Sequence, residues 1–197
     1  MKVHAEFILS ATAPEHFPAP RAPEIAFTGR SNVGKSSLLN SLVGEKLAHV
    51  SSTPGRTRTI NFFGVRFDAK RADPELLLVD LPGYGYARIP RAMQAEFAHF
   101  IEPYLRERTA LALCVCLVDV GVPPQESDCT LLGWLQQHGR PYLVVGTKAD
   151  RLSGNRLRAA LKDLSAALEV ESILPFSAKT GAGRDELWRA IRGAAGG

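Results

Sequence analysis

The sequence has little cysteine and no long apolar run, and each shortage argues against a class of protein. Only three of its 197 residues are cysteines, and Cys114 and Cys116, unlike Cys129, stand in a strongly apolar stretch. We therefore expect buried, reduced cysteines rather than disulfides. No stretch approaches the roughly 18 apolar residues of a membrane span, and the first ten residues lack the apolar core of a signal peptide. We expect a cytoplasmic protein that has no membrane partner.

Metal-binding clusters and biased segments are also lacking. The five histidines are scattered, and none pairs with a cysteine at the spacing of a zinc site. The 17 glycines and 13 prolines are spread along the chain, and there is no internal repeat. The composition that remains is that of an ordinary globular protein of one domain.

Five short apolar runs carry the prediction of the fold. They lack alternation of apolar and polar residues, which is typical of strands covered by helices on both faces. Segments with helical spacing lie between them. Two further strands are predicted, Asn61–Phe63 and Val65–Phe67, one on each side of Gly64. This order predicts an α/β protein with a mostly parallel, doubly wound sheet and helices on both faces. The predicted strands are Glu24–Thr28, Leu76–Val79, Leu111–Val118, Tyr142–Val145 and Ser172–Phe176, and the predicted helices are Lys35–Val43, Arg91–Arg108, Glu126–His138, Gly154–Leu168 and Arg184–Ile191.

A phosphate-binding loop is predicted directly after the first strand. Residues 29–36 read GRSNVGKS and match the P-loop pattern. In such a loop backbone N–H groups surround a β-phosphate, Lys35 reaches the β- and γ-phosphates, and the Ser36 hydroxyl binds Mg²⁺. The alternative is a glycine-rich turn before a helix. The predicted nucleotide contacts are Gly29, Arg30, Ser31, Asn32, Val33, Gly34, Lys35, Ser36 and Ser37.

A second phosphate element follows the Leu76–Val79 strand and reads Asp80-Leu81-Pro82-Gly83. An acid at the end of a buried strand can hold Mg²⁺ through water, and the glycine lets a backbone N–H approach the γ-phosphate. By itself this motif is equally a good turn. Its place downstream of a P-loop favours the phosphate site.

Guanine recognition is predicted after the Tyr142–Val145 strand, where Thr147-Lys148-Ala149-Asp150 is a variant of the Asn-Lys-x-Asp motif. Asp150 would accept hydrogen bonds from N1 and N2 of guanine, donors that adenine does not offer. Lys148 would lie along the base, and Thr147 replaces the usual asparagine. The alternative is a solvated turn.

The last strand ends in Phe176-Ser177-Ala178, which resembles the loop where a backbone N–H meets the guanine O6. Alone it carries little information, but it completes the expected order of motifs, which together indicate a GTP site.

A threonine that completes the Mg²⁺ shell is expected before Asp80. Gly55-Arg56-Thr57-Arg58-Thr59 offers Thr57 and Thr59, between which residue chemistry does not choose.

Slow hydrolysis is predicted from Tyr84, which stands where GTPases of the Ras type have the glutamine that orients the attacking water. The tyrosine hydroxyl lies too far from the backbone to do the same work. We expect a partner or an ion to raise the rate. Related GTPases with an asparagine at the position of Asn32 bind K⁺ there, which raises the hypothesis of a K⁺ site in this chain.

These segments together resemble the EngB (YihA/YsxC) family of bacterial GTPases. The resemblance rests on PEIAFTGRSNVGKSSLLNSL, SSTPGRTRTINFF, LVDLPGYGYA and TKAD, and it extends from about residue 6 to residue 192. It implies a P-loop NTPase fold with a Ras-like GTPase domain, Mg²⁺ on Ser36 and Thr57, and catalytic contributions from Lys35, Thr57 and Gly83. It also implies nucleotide contacts at 55–59, 80–83, 147–150 and 176–178.

The family further implies a GTP-controlled role in assembly of the large (50S) ribosomal subunit, with a requirement in bacterial cell division and septation. The expected partners are GTP or GDP and the rRNA and proteins of that subunit, and the expected state is a monomer. Two departures stand out: Asp119-Val-Gly lacks the basic residues that usually follow this aspartate, and Arg151 replaces a lysine.

The distribution of charge favours an acidic partner. The net charge is +4, and residues 46–91 hold all of the excess, with eight basic against four acidic residues. Such a stretch would bind phosphates in a salt-dependent way. The alternative is a solvated basic face. The basic residues are Lys46, Arg56, Arg58, Arg66, Lys70, Arg71, Arg88 and Arg91.

Two other functions compete with an assembly GTPase. One is a GTP-dependent binding module with negligible hydrolysis that acts in cell division independently of ribosomes. The other is a trafficking GTPase, which the Gly-Ala-Ala-Gly-Gly terminus without a prenylation cysteine argues against.

We expect an N-terminal extension over 1–23 packed on a GTPase domain over 24–192, followed by a flexible tail over 193–197.

Overall fold

The structure, a computed structural model, describes residues 3–45, 47, 59–84 and 100–196. Seven strands form one sheet. They are β1 (His4–Ala11), β2 (Glu24–Gly29), β3 (Ile60–Arg66), β4 (Leu76–Asp80), β5 (Leu111–Asp119), β6 (Tyr142–Thr147) and β7 (Leu174–Pro175). Their order is β1-β3-β4-β2-β5-β6-β7, with antiparallel pairs only at the β1-β3-β4 edge.

Helices cover both faces of this sheet. They are α1 (Lys35–Val43), α2 (the helical residues 100–107), α3 (Glu126–Gln137), α4 (Gly154–Ala167) and α5 (Arg184–Ala194). One core lies between the sheet and α1 with α5, and the other lies between the sheet and α2, α3 and α4. Successive residues of β2 go to opposite cores, and all six are buried. This two-sided burial explains why the apolar runs do not alternate.

The antiparallel edge differs from the sequence prediction. The two strands predicted around Gly64 are one continuous strand, β3, in which Gly64 pairs with Glu6 on one side and Leu77 on the other. Gly64 serves close packing rather than a turn, because a Cβ there would lie 3.1 Å from both Ile8 and Pro74. The N-terminal segment supplies β1, which no pattern in the sequence indicated.

The helix that follows the P-loop is tied to the last helix. The carbonyl oxygen of Leu42, in the last turn of α1, accepts hydrogen bonds from Trp188 Nε1 at 2.9 Å and from Arg184 Nη2 at 3.0 Å. A carbonyl in the last turn of a helix has no partner within the helix, so α5 satisfies the end of α1.

A buried polar cluster lies at the amino end of β2. Glu24, which has no exposed surface, accepts hydrogen bonds from the Arg108 guanidinium and from the Tyr104 hydroxyl at 2.9 Å. Arg108 also donates to the carbonyl of Pro18 and lies over the ring of Phe17. Burial, followed by the charge of Glu24, raises the pKa of Tyr104 well above its usual range. The cluster joins the N-terminal segment to the residues that follow α2.

Cys114 and Cys116 are buried in β5 and Cys129 is exposed on α3, and all three are free thiols. Among the described residues, no helix is both long and apolar enough to cross a membrane. Residues 91–99 of the helix predicted from Arg91 lie outside the described part of the chain.

Candidate functional site

The P-loop connects β2 to α1 through two residues in left-handed conformation. Asn32 has φ 65° and Gly34, the N-cap of α1, has φ 107°. Asparagine and glycine adopt this region more readily than other residues. The loop therefore turns tightly and presents the first turn of α1, which contains Lys35 and Ser36, at the carboxyl edge of the sheet. Backbone N–H groups at a helix N-terminus attract anions.

The phosphate end of the site brings two predicted residues together. Lys35 Nζ forms an ion pair with Asp80, whose side chain is 5% exposed. The pair forms because β2 and β4 are parallel neighbours, with Phe27 opposite Asp80, so their carboxyl ends meet at one edge. The Asp80 carboxylate and the hydroxyl of Ser36, which follows Lys35 in the chain, are hard oxygen donors of the kind that Mg²⁺ takes.

Backbone contacts join the Asp80–Gly83 loop to the P-loop. Tyr84 N–H donates to Gly29 O at 3.2 Å, and Ser31 N–H donates to Tyr84 O at 3.0 Å. A Cβ at Gly83 would lie 3.2 Å from Ser31 Oγ. A side chain at position 83 would therefore require Ser31 to shift, whereas glycine allows the two loops to approach this closely.

The Tyr84 side chain leads away from the P-loop to α3. Its hydroxyl donates to Asp128 Oδ1 at 3.1 Å, and Arg30 Nε lies 4.0 Å from Asp128 Oδ2. Burial is the largest cause that raises the pKa of Tyr84 well above its usual range, and the Asp128 charge is the next. The phenol therefore stays protonated as a donor.

At the other end of the site, β6 ends in residues that contact the P-loop. The buried Thr147 hydroxyl lies 2.6 Å from Val33 O and 3.1 Å from Val118 O. Lys148 Nζ donates to Asn32 O at 2.9 Å and to Asp119 Oδ2 at 2.7 Å. Thr147 thus replaces the usual asparagine with a hydroxyl that still reaches the P-loop backbone.

Asp150 is oriented by the loop that follows β7. Ser177 Oγ donates to Asp150 Oδ1 at 2.7 Å, and this bond is the main cause that holds the pKa of Asp150 below its ordinary value. Ala149 N–H donates to Phe176 O at 3.1 Å, which joins the two loops. The carboxylate is exposed and ionised, and Ser177 leaves its second oxygen for another donor.

A cavity of about 710 Å³ lies between these loops and α1. Its volume is in the range of small-ligand sites. The lining residues include Gly34, Ser37, Thr147, Lys148, Asp150, Phe176 and Ala178. Gly34 and Ser37, which are predicted to contact the phosphates, therefore share one concave surface with Thr147, Lys148 and Asp150, which are predicted to bind the base.

Four predicted contacts, Gly55, Arg56, Thr57 and Arg58, lie outside the described residues. The choice between Thr57 and Thr59 is therefore untested, although the Thr59 hydroxyl is seen to donate to Asn61 Oδ1 at 3.1 Å.

Sequence reasoning missed two acidic residues of this region. Asp119 contacts Lys148, and Asp128 contacts Tyr84. The signal for Asp119 was its position at the end of a strand beside β6. Asp128 gave no signal, because it lies within a helix and far in sequence from every motif.

The family described as 50S ribosome-binding GTPase matches residues 24–148 of the chain. The probable GTP-binding protein EngB of Koribacter versatilis is 58% identical over 196 residues, which are 100% of this chain and 96% of that protein. Its counterpart in Acidobacterium capsulatum is 60% identical over 191 residues, 97% of this chain and 90% of that protein.

Solved structures agree with this fold. A crystal structure of a probable GTP-binding protein engB matches with a TM-score of 0.68 and 24% identity, over 87% of this chain and 98% of that one. A variant of Aquifex aeolicus Era bound to GDP and AlF4⁻ matches with a TM-score of 0.65 and 25% identity, over 87% of this chain and 56% of that one.

The full-length identity to these relatives agrees with a P-loop and a Thr147–Asp150 loop that line one cavity, and with an Asp80–Gly83 loop that is joined to the P-loop by backbone hydrogen bonds. The sheet order and the helices on both faces are those of a P-loop GTPase. The chain therefore belongs to the EngB family of GTP-binding proteins and is a P-loop GTPase.

Proposed function

We propose that this chain binds GTP and GDP with Mg²⁺ at the site built by residues 29–37, 80–83, 147–150 and 176–178, and that it is a slow, nucleotide-controlled switch in assembly of the large ribosomal subunit. The observation that carries the proposal is that both ends of the candidate site lie at the same edge of the sheet. Lys35 and Asp80 form a phosphate end, and Lys148 and Asp150 form a base end.

The Mg²⁺ ion would be held by the Ser36 hydroxyl, by Asp80 through water, and by Thr57. When bound, it neutralises charge on the β- and γ-phosphates. Lys35 would then exchange its contact with Asp80 for phosphate oxygens, and Gly83 N–H would donate to the γ-phosphate. The chemistry of this donor set supports the assignment, since carboxylate and hydroxyl oxygens suit Mg²⁺.

Slow intrinsic hydrolysis is supported by the position of the Tyr84 side chain. Its hydroxyl is bonded to Asp128, so it does not orient an attacking water from this position. The same observation favours the second candidate, a binding module with negligible hydrolysis. Phosphate release over many turnovers, with and without ribosomal particles, separates the two, and a rate no higher than that of free GTP would favour the module.

A K⁺ ion near Asn32 would supply the positive charge of an arginine finger in this proposal. The side chain can be tested apart from its backbone, because Asn32 lies at φ 65° and glycine keeps that conformation without strain. We expect faster hydrolysis in K⁺ than in Na⁺ for the wild type and equal rates for Asn32→Gly. Equal rates in the wild type would rule out the K⁺ site.

Binding to ribosomal RNA is supported by the excess of basic residues over 46–91. Lys46, Arg56, Arg58, Arg88 and Arg91 lie outside the described residues. Of the others, Arg66 pairs with Glu6, which lies outside this stretch, so part of the excess is balanced locally. Arg71 pairs with Glu75, which is already counted among the four acids. Era, to which this chain is similar, has been crystallised with MgGDPNP and nucleotides 1506–1542 of 16S ribosomal RNA.

Sedimentation with 50S and 30S particles tests the ribosomal role. The protein is mixed with each particle in GDP, in a non-hydrolysable GTP analogue or without nucleotide, at low and moderate salt. We expect co-sedimentation with 50S in the analogue alone. Binding that is the same in every nucleotide state, or that is lost for both particles at moderate salt, would show that the RNA interaction is nonspecific and electrostatic.

The division of the chain into an extension over 1–23, a GTPase domain over 24–192 and a tail over 193–197 also remains a proposal, as do a monomeric state and cytoplasmic localisation. The pairing of β1 with β3 supports an extension that packs on the GTPase domain. A requirement for this protein in normal cell division and septation is part of the same proposal.

A further inference from the structure

We propose that Asp128, which belongs to none of the nucleotide motifs, is a positioning residue that makes the site prefer GTP over GDP by fixing Gly83 through Tyr84. The inference rests on the proposed function, in which Gly83 N–H donates to the γ-phosphate. That contact exists with GTP and is absent with GDP.

Asp128 is held rigidly in the first turn of α3. It is 3% exposed, and its Oδ2 accepts from the backbone N–H of Gln125 at 2.9 Å. This bond satisfies a free N–H at the start of the helix and orients the carboxylate. Oδ1 then faces the Tyr84 hydroxyl at 3.1 Å.

Tyr84 is consequently fixed at three points. Its N–H bonds Gly29 O, its carbonyl accepts from Ser31 N–H, and its hydroxyl bonds Asp128. The preceding residue, Gly83, has little freedom as a result. The anchor orders the γ-phosphate donor before the nucleotide arrives, which removes an entropic cost from GTP binding alone.

Arg30 completes the anchor. Its Nε lies 4.0 Å from Asp128 Oδ2, and its Nη1 is buried without a hydrogen-bond acceptor among the described residues. A buried carboxylate needs such compensation. Since Arg30 belongs to the P-loop, the same carboxylate holds the P-loop and the Asp80–Gly83 loop against α3.

The test compares Tyr84→Phe with a matched control, Tyr104→Phe. Both changes remove a buried hydroxyl that donates to a carboxylate, but the Tyr104 hydroxyl bonds Glu24 at the amino end of β2, opposite the P-loop end. Affinities for GDP and for guanosine 5′-(β,γ-imido)triphosphate are measured for each variant by calorimetry with Mg²⁺, together with the thermal melting temperature.

We expect Tyr84→Phe to weaken the triphosphate about three- to tenfold and to leave GDP within about twofold of the wild type. Tyr104→Phe should lower the melting temperature and leave the ratio of the two affinities unchanged. Asp128→Asn is a second variant, because it replaces one of the two oxygens that accept from Gln125 N–H and the Tyr84 hydroxyl by an NH₂ donor and removes the charge that faces Arg30. It should lower the same ratio.

Equal losses for both nucleotides in Tyr84→Phe, or no loss, would overturn the positioning role and leave the proposed function intact. A wild-type protein that binds neither nucleotide would instead overturn the proposed function and the positioning role together.

Discussion

At the scale of single residues, the proposed function assigns the selectivity of the site to Asp150, which Ser177 orients. The hydrogen bond from the Ser177 hydroxyl to Asp150 keeps the carboxylate ionised and orients it at the cavity that Asp150 lines. In Asp150→Asn an amide replaces the acceptor for the guanine N1 and N2 hydrogens. We expect GDP affinity to fall roughly 10- to 100-fold, the range for a lost hydrogen bond to a charged group. Xanthosine diphosphate, which offers an oxygen at the position of N2, should bind more tightly than GDP.

Competition with fluorescent GDP measures both affinities in one assay. Asp163→Asn is the matched control, since it makes the same charge change at an exposed position of α4. An Asp150→Asn variant that keeps its preference for GDP over xanthosine diphosphate would contradict the assignment.

Asp119 holds Lys148, which the proposed function places along the guanine base. Its Oδ1 accepts from Gly121 N–H at 2.9 Å, which turns Oδ2 toward the ammonium group. In Asp119→Ala, Lys148 keeps only its bond to Asn32 O among these contacts. We expect GDP to dissociate about three- to tenfold faster, given the modest strength of a partly exposed ion pair.

Stopped-flow release of fluorescent GDP measures this rate. The double variant Asp119→Ala/Lys148→Ala should release GDP at the same rate as Lys148→Ala alone, because the aspartate acts only through the lysine. Rates that multiply in the double variant would show that the two residues act separately.

The elements of the sheet show how far the sequence alone predicts this molecule. The helix predicted at Lys35–Val43 has the same bounds in the structure, and the parallel strands appear in the predicted places. Four of the strands run one or two residues beyond their apolar runs, to Gly29, Asp80, Asp119 and Thr147. Apolar patterning stops before these residues, whereas the pairing of the backbone continues. The residues it failed to place in strands are therefore the ones that enter the site.

Contacts between residues far apart in the sequence could not be predicted from local patterns either. Motif spacing predicted Lys148 and Asp150, but Asp128 meets Tyr84 only because α3 packs near the end of β4. The antiparallel edge was missed because Gly64 resembles a turn residue and because β1 has only the short apolar run Phe7-Ile8-Leu9.

The junction between β7 and α5 positions the Ser177 loop. Gly183 has φ 82°, and a Cβ there would lie 2.1 Å from Pro175 O. We expect Gly183→Ala to lower the free energy of unfolding by at least about 2 kcal/mol, because left-handed backbone costs an alanine 1–2 kcal/mol and the clash adds to it. GDP affinity should fall with it, since Ser177 N–H bonds Ala182 O at 2.9 Å.

Urea denaturation measures the change. Gly193→Ala is the control in the same helix, where a Cβ would meet nothing within 4 Å. Alanine should stabilise that position by about 0.5–1 kcal/mol. A Gly183→Ala variant as stable as the wild type would mean that the loop moves freely around this contact.

The whole molecule depends on the Glu24 cluster, which joins three separate segments of the chain. Arg108→Met leaves the fully buried Glu24 without its cation. We expect the free energy of unfolding to fall by about 3–5 kcal/mol, as for other broken buried pairs. The double variant Glu24→Gln/Arg108→Met should recover part of this loss, because no uncompensated charge remains.

Thermal and urea unfolding of the four proteins in this cycle measure the coupling. Losses that simply add would show that the two side chains do not depend on each other. GDP affinity of the folded variants should stay close to that of the wild type, since the cluster lies at the end of β2 opposite the P-loop.

The bonds from Trp188 and Arg184 to Leu42 also set an order of events during biosynthesis. The P-loop helix is translated early, but the groups that satisfy its last turn are translated more than 140 residues later. Ser177, which orients Asp150, also emerges late. A nascent chain that has left the exit tunnel only as far as β6 holds the phosphate loop without these supports. We therefore expect a chain that lacks α5 and the Ser177 loop to bind guanine nucleotide more weakly than the folded chain.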